Sequence, residues 1–166
     1  MACVNPASSL ARPKPSDLTR NLVSVGYEGC CLETWVAGLI VDGVKLVCDV
    51  RLMPLSRKRG FSKTALSLAL HDSGVDYLHF RELGNPKFNR SGFGGTSAQV
   101  LEAQTTFVKT VLSTPDAQLA LEKISLAVQR RKTAILCFER DPTRCHRSQV
   151  LAALSLLPQN FGGDLS

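Results

Sequence analysis

Short apolar runs alternate along this chain with longer segments in which apolar residues recur at helical spacing. Each run is rich in β-branched or other apolar residues and ends in a polar or glycine-containing turn, which is typical of a buried strand. The predicted strands are 22–27, 45–50, 75–80 and 133–138. The predicted helices are 33–40, 62–72, 97–112, 116–130 and a last helix from about 143 to 157.

This alternation of strands and helices favours βαβ units. We therefore predict an α/β fold: a single domain over residues 21–158, with a mostly parallel central sheet and helices on both faces. Flexible tails are predicted at 1–20 and 159–166. A polar loop at 81–96 is long for a compact domain, so we expect it to be functional or mobile.

The first twenty residues lack the apolar segment of a secretory signal, although an organellar transit peptide is an alternative for them. No apolar run reaches the roughly 18 residues that a membrane span needs. We therefore expect a cytoplasmic protein without a membrane partner, whose six cysteines are reduced. The oligomeric state stays open.

Polar side chains stand at the end of every predicted strand. They are Tyr27 and Glu28, Asp49 and Arg51, Arg81 and Glu82, and Cys137 and Glu139. In open parallel sheets, ligands bind beyond the carboxyl ends of the strands. The sequence therefore predicts a polar pocket at that edge of the sheet.

The charge balance changes what this pocket is expected to hold. Twenty Lys and Arg against fourteen Asp and Glu give a net charge of +6, which favours an anionic partner such as a nucleic acid. A basic loop from Met53 to Lys63 supplies Arg57 and Lys63 as candidate phosphate ligands, with Tyr27 or Phe61 available to stack on a base. A solvated basic loop is the alternative.

The segment from Ala134 to Arg147 carries most of the candidate chemistry. We predict Cys145 in the first turn of the last helix, where backbone N–H groups and neighbouring arginines lower a thiol pKa. Cys145 is then a nucleophile, a lining residue of an anion site completed by Arg147, or an unreactive packed cysteine. Glu139 is a candidate general base or the partner of an arginine, and His146 is expected to face solvent.

Asp49 and Arg51 lie on one side of a strand end because side chains alternate along a strand. Asp49 is a second candidate base, and Arg51 is a candidate phosphate ligand. The alternative is that the two residues pair with each other.

Several blocks of this sequence resemble the family catalogued as domain of unknown function 488. The blocks are Gly26–Gly29, Asp49–Arg57, Gly60–Lys63, Leu83–Lys87 with Asn89 and Arg90, Cys137–Glu139 and Cys145–Arg147. They occur in order between Leu22 and Leu157. The resemblance implies a compact α/β fold in a bacterial or archaeal cytoplasm, and it implies no particular reaction.

Three functions follow as hypotheses. The first is an enzyme acting on a nucleotide or nucleic-acid phosphate, with Glu139, Cys145 or Asp49 catalytic and Tyr27, Arg51, Arg57, Lys63 or Arg147 binding the anion. The second is a non-catalytic nucleic-acid-binding module that uses the basic loop. The third is redox or metal chemistry of Cys137 and Cys145. We expect no cofactor and no metal, because the cysteine spacing lacks the C-x2-C pairs of structural zinc sites, although Cys137, Cys145 and His146 are a possible ligand set.

Overall fold

The computed structural model describes residues 20–157, so the predicted tails lie, apart from Arg20, outside the described residues. Within this range four parallel strands form one sheet in the order β1-β4-β2-β3. The strands are β1 Leu22–Gly26, β2 Leu46–Asp49, β3 Asp76–His79 and β4 Thr133–Cys137. The predicted α/β fold with a parallel sheet is confirmed.

Helices follow the strands and connect them across both faces of the sheet. They are α1 Leu32–Val41, α2 Lys63–Asp72, α3 Arg90–Phe93, α4 Ser97–Phe107, α5 Pro115–Arg130 and α6 Arg147–Leu156. Shorter 3-10 turns occupy Arg81–Leu83, Lys87–Asn89 and Pro142–Arg144, and a π-helical turn at Val108–Leu112 extends α4. No helix among residues 20–157 combines the length and apolarity that crossing a membrane requires.

The core forms two apolar clusters, one on each face of the sheet. Alternate residues of β4 serve opposite clusters: Ile135 packs with α4, α5 and α6, whereas Leu136 packs with α1 and α2. Both central strands are buried along their whole length. Continuous apolar runs are what a strand covered on both faces needs, which is why the sequence indicated these two strands.

Side-chain caps fix the starts of two long helices. Thr96 forms a capping box with Gln99 at the start of α4. The Thr114 hydroxyl accepts a hydrogen bond from the backbone N–H of Ala117 at the start of α5, where Pro115 occupies the first helical position. Ser62 immediately precedes α2, and its side chain makes no capping hydrogen bond.

Two expectations about local structure were wrong. The segment 81–96 is not one irregular loop, because it folds into two 3-10 turns and α3. The last helix begins at Arg147 and not near 143, because Asp141 caps a separate 3-10 turn before it. On α5, Leu119 is half exposed, whereas Ile124 and Val128 are fully buried.

Candidate active site

A cavity of about 340 Å³ opens at the carboxyl ends of β1, β2 and β4. Its volume lies in the range of small-ligand sites, and its position is the one expected for an open parallel sheet. Residues that follow the three strands line it, together with residues of the basic loop and of the segment 85–93. The lining residues with polar, charged or thiol side chains are Tyr27, Arg51, Ser56, Arg57, Asn85, Arg90, Cys137, Glu139, Cys145 and His146.

The floor of the cavity carries two thiols and one imidazole. The Cys137 Sγ, Cys145 Sγ and His146 Nδ1 atoms lie within 4.8 Å of one another, and all three residues are buried. Nδ1 is 3.7 Å from the Cys145 sulfur and 3.9 Å from the Cys137 sulfur. We call this group the Cys-Cys-His cluster.

The orientation of His146 is fixed by two neighbours. Its Nε2 lies 3.0 Å from the carbonyl oxygen of Val50, which can only accept a hydrogen bond, so Nε2 carries the proton. The Phe107 ring packs against the imidazole at a centroid distance of 5.1 Å. The other ring nitrogen, Nδ1, therefore faces the two sulfurs. The expectation that His146 faces solvent was wrong, since the side chain is 5% exposed.

The backbone explains how two consecutive residues reach one cluster. Cys145 is extended (φ −143°, ψ 142°), and His146 has helical dihedrals as the residue before α6. Cys145 thus precedes the helix. The prediction that it lies in the first turn of the helix was wrong. Cys145 still meets the helix start, because the Arg147 backbone N–H donates to the Cys145 sulfur at 3.4 Å.

Glu139 lies beside the Cys-Cys-His cluster. The Cys137 thiol donates to Glu139 Oε2 at 3.2 Å. Burial opposes ionisation of Glu139, but hydrogen bonds from the Cys145 and Cys137 thiols outweigh it and hold the pKa of the carboxyl below its ordinary value. Glu139 is therefore an ionised hydrogen-bond acceptor that is half-buried at the cavity wall.

Two neighbouring groups have raised pKa values. A hydrogen bond with Cys145 and burial raise the pKa of the Cys137 thiol well above its ordinary value. Burial lowers the pKa of His146, but the adjacent Cys137 and the hydrogen bond to Val50 raise it overall. Without a further cation the cluster therefore favours a protonated Cys137.

Asp49 and Arg51 form a buried ion pair beside the cavity. Asp49 is fully buried, and its carboxylate accepts from Arg51 Nε and Nη2 and from the Tyr77 hydroxyl. Arg51 Nη1 donates to Tyr27 Oη and to the Phe61 carbonyl. Asp49 and Arg51 therefore pair with each other, which was the alternative left open by the sequence. Arg51 also lines the cavity, whereas Asp49 does not.

The Arg147 side chain is buried and hydrogen-bonded within the fold. Its guanidinium is 1% exposed and donates to Ser24 Oγ, the Val25 carbonyl and the Glu139 carbonyl. It does not line the cavity, but it anchors the backbone of Glu139 to β1. Lys63 is likewise outside the cavity, on the exposed start of α2.

Two exposed arginines line the cavity. Arg57 comes from the basic loop, and Arg90 begins α3 and donates from Nε to the Asn85 carbonyl. Neither forms an ion pair with any carboxylate in the described range. Sequence reasoning missed Arg90, although it belongs to one of the recognised sequence blocks, because only tertiary contacts bring 85–93 to the cavity.

Apolar side chains share the rim with these arginines. Met53, Leu55 and Phe138 line the cavity and are each more than 40% exposed. Phe138 packs edge-on against Tyr27 at a centroid distance of 5.3 Å. The predicted site residues Tyr27, Arg51, Arg57, Glu139 and Cys145 thus line one cavity, whereas Asp49, Lys63 and Arg147 do not.

Gly26 allows the site segment to approach β1. A Cβ atom at this position would lie 2.0 Å from the Glu139 carbonyl oxygen, so only glycine fits. The backbone N–H groups of Tyr27 and Glu28 both donate to the Phe138 carbonyl and tie the same segment down. Gly26 is therefore a positioning residue of the site, and its place in a recognised block was the available signal.

Comparisons with known proteins agree with the sequence blocks. The model of the family described as Domain of unknown function DUF488 matches residues 32–154, which include β2, β3, β4 and the whole Cys-Cys-His cluster. The searches of curated proteins and of solved structures returned no match.

Proposed function

The chain belongs to the family described as Domain of unknown function DUF488, whose description names no reaction, and we propose that it is an enzyme acting on a nucleotide or nucleic-acid phosphate. The observation that carries the proposal is the composition of one cavity. Two arginines that pair with no carboxylate among residues 20–157 line it, exposed apolar side chains share its rim, and thiol, imidazole and carboxylate groups form its floor.

Arg57 and Arg90 bind the phosphate in this proposal. A guanidinium donates two parallel hydrogen bonds to phosphate oxygens, and a guanidinium that is not neutralised by a nearby carboxylate attracts an anion most strongly. Arg51 contributes less than the sequence suggested, because Asp49, Tyr27 and Phe61 already accept from its guanidinium.

The apolar rim favours a nucleotide over a smaller phosphate ester. Phe138 offers an exposed ring, and Met53 and Leu55 offer further apolar surface near the arginines. A base has a flat apolar face, so an aromatic side chain adds affinity through stacking. The rim and the arginines together therefore match the two halves of a nucleotide.

The reacting groups lie on the floor. Glu139 is the proton acceptor, because its carboxylate is ionised and lines the cavity. Cys145, Cys137 and His146 form the rest of the reacting centre. Asp49 is a positioning residue that holds Arg51, and not a base.

Catalysis is tested by a substrate screen with matched carboxamide variants. The wild type is incubated with nucleoside mono-, di- and triphosphates and with labelled oligonucleotides, and release of phosphate and strand cleavage are measured. Glu139→Gln should lower kcat at least about 100-fold, as expected for loss of a general base. Glu33→Gln, on the exposed surface of α1, should leave it unchanged. Equal turnover of wild type and Glu139→Gln would remove the catalytic assignment.

A non-catalytic nucleic-acid-binding module is the second candidate, because Arg59 and Lys63 are exposed on the same basic loop outside the cavity. Binding measurements separate the two. Arg57→Ala and Arg90→Ala should each weaken binding of a nucleoside monophosphate about 5- to 30-fold, whereas Arg59→Ala should change it less than about 2-fold. Equal losses for Arg57→Ala and Arg59→Ala, with oligonucleotides bound and none turned over, favour the binding module.

A further inference from the structure

The three ligand-type atoms of the Cys-Cys-His cluster have the spacing of a tetrahedral metal site. With Zn–S bonds of about 2.3 Å and Zn–N bonds of about 2.0–2.1 Å, tetrahedral angles place sulfur and nitrogen about 3.6 Å apart. The Nδ1 atom of His146 lies 3.7 Å from Cys145 Sγ and 3.9 Å from Cys137 Sγ. The protein therefore needs only small side-chain adjustments to place all three atoms around one ion.

We infer that Cys137 Sγ, Cys145 Sγ and His146 Nδ1 bind a zinc ion at the floor of the cavity. Zinc binds sulfur and imidazole nitrogen ligands, whereas calcium and magnesium prefer oxygen ligands, so this ligand set favours zinc. This inference deepens the proposed function and rests on it for the role of the ion, but the binding of zinc itself does not require a phosphate substrate.

The groups around the cluster hold the ligands in place. The Val50 carbonyl fixes the proton of His146 on Nε2, which leaves Nδ1 free to bind a metal. The Arg147 backbone N–H, at the start of α6, donates to the Cys145 sulfur at 3.4 Å and fixes its position. Both contacts come from the backbone, so the fold itself supplies the second coordination sphere.

Charge balance also favours a divalent ion. Zinc displaces the two thiol protons, so that one Zn²⁺, two thiolates and a neutral imidazole give a ligand set without net charge. This matters because all three ligands are at most 5% exposed and a buried net charge is costly.

The fourth coordination position opens into the cavity, because all three ligands line it. Catalytic zinc sites have three protein ligands and one open position, whereas structural sites are closed by four. Glu139 lies beside this position, with Oε2 3.2 Å from the Cys137 sulfur. Zinc in this place is available to a water molecule or to an oxygen of the bound phosphate, with Glu139 as the adjacent acceptor.

The inference is tested on the whole 166-residue chain with zinc alone. Reduced, chelator-treated protein is titrated with zinc against a chromophoric chelator, and cobalt is substituted to detect thiolate-to-cobalt charge-transfer absorption. We expect one zinc per chain. Cys145→Ser and His146→Gln should weaken zinc binding at least about 100-fold, whereas Cys31→Ser and His71→Gln, at exposed positions outside the cavity, should change it less than about 2-fold.

Alkylation mapping keeps the test decisive if the variants fold poorly. Zinc should protect Cys137 and Cys145 of the wild type from iodoacetamide and leave Cys31 labelled. No zinc binding by the reduced wild type, or binding that Cys145→Ser and His146→Gln leave intact, would overturn the inference. If the wild type binds nucleotide through Arg57 but binds no zinc, only the metal site is refuted. If the wild type binds zinc but shows no Arg57-dependent nucleotide binding, only the phosphate assignment is refuted.

Discussion

Replacing Asp49 with asparagine tests whether this residue is part of the scaffold and not a catalytic base. The substitution preserves size and removes the charge that neutralises Arg51. The Arg51 guanidinium is 6% exposed and Asp49 is fully buried, so solvent cannot replace the lost carboxylate. Breaking a buried ion pair by removing one partner costs about 3–5 kcal/mol. Because asparagine retains one acceptor oxygen, we expect the free energy of unfolding to fall by about 3 kcal/mol.

Equilibrium urea unfolding measures this effect. With a slope of about 2 kcal/mol per molar, which is usual for a domain of this size, the midpoint should fall by about 1.5 M. Asp76→Asn is the matched control, because Asp76 pairs with Arg131 at the surface and exposed ion pairs contribute at most about 1 kcal/mol. The double variant Asp49→Leu with Arg51→Met should recover part of the loss, since it leaves no unpaired buried charge.

The result that refutes this account is a small change. If Asp49→Asn lowers the free energy of unfolding by less than about 1 kcal/mol, or no more than Asp76→Asn, the ion pair does not stabilise the wall of the cavity. If the variant is as stable as the wild type and has lost turnover, Asp49 takes part in the reaction and the assignment of Glu139 as the base has to be revised.

Three further predictions concern the wall and rim of the cavity. Gly26→Ala should lower the free energy of unfolding by about 1–3 kcal/mol and should also lower turnover, because the added Cβ would displace the backbone of Glu139. Gly94→Ala is the control, and it should match the wild type in thermal unfolding and in the activity assay. Arg147→Met should reduce the free energy of unfolding by about 2–4 kcal/mol in urea, because it leaves buried acceptors unpaired; a neutral result would show that its hydrogen bonds are dispensable. Phe138→Ala should weaken nucleotide binding about 5- to 50-fold in calorimetry and leave inorganic phosphate binding unchanged, and equal losses for both ligands would argue against stacking.

The central sheet could be predicted from sequence because its signal is local. β2 and β4 are short apolar runs, and burial on both faces requires such runs. The parallel arrangement followed from the alternation with helices, and the position of the pocket followed from the polar residues at the strand ends. These inferences depend on the chain near each element and not on distant contacts.

The orientation of individual site residues depends on tertiary contacts and could not be predicted in the same way. His146 was expected to face solvent because it was placed on a continuous helix with Cys145. A 3-10 turn before α6 and the carbonyl of Val50, almost a hundred positions earlier, turn its ring toward the sulfurs. No periodicity of the sequence encodes a contact of that range.

The contacts of the arginines could not be predicted from the sequence either. Sequence spacing placed Arg51 beside Asp49 but could not show that Tyr77, from the neighbouring strand, closes the pair off. Arg90 reaches the cavity because the Asn89 amide binds both Asn85 and the Ala103 carbonyl, which folds the segment 85–93 against α4. The sequence therefore indicated arginines as candidate anion ligands, but it could not show which arginines line the cavity.

The most direct test of the account is a crystal structure of the zinc-loaded protein soaked with a nucleoside monophosphate, with anomalous data at the zinc edge. We predict one zinc peak bonded to Cys137 Sγ, Cys145 Sγ and His146 Nδ1, and a phosphate between Arg57 and Arg90 in the same cavity. A zinc ion elsewhere and a phosphate held only by Arg59 or Lys63 on the outer surface would contradict a shared reaction centre.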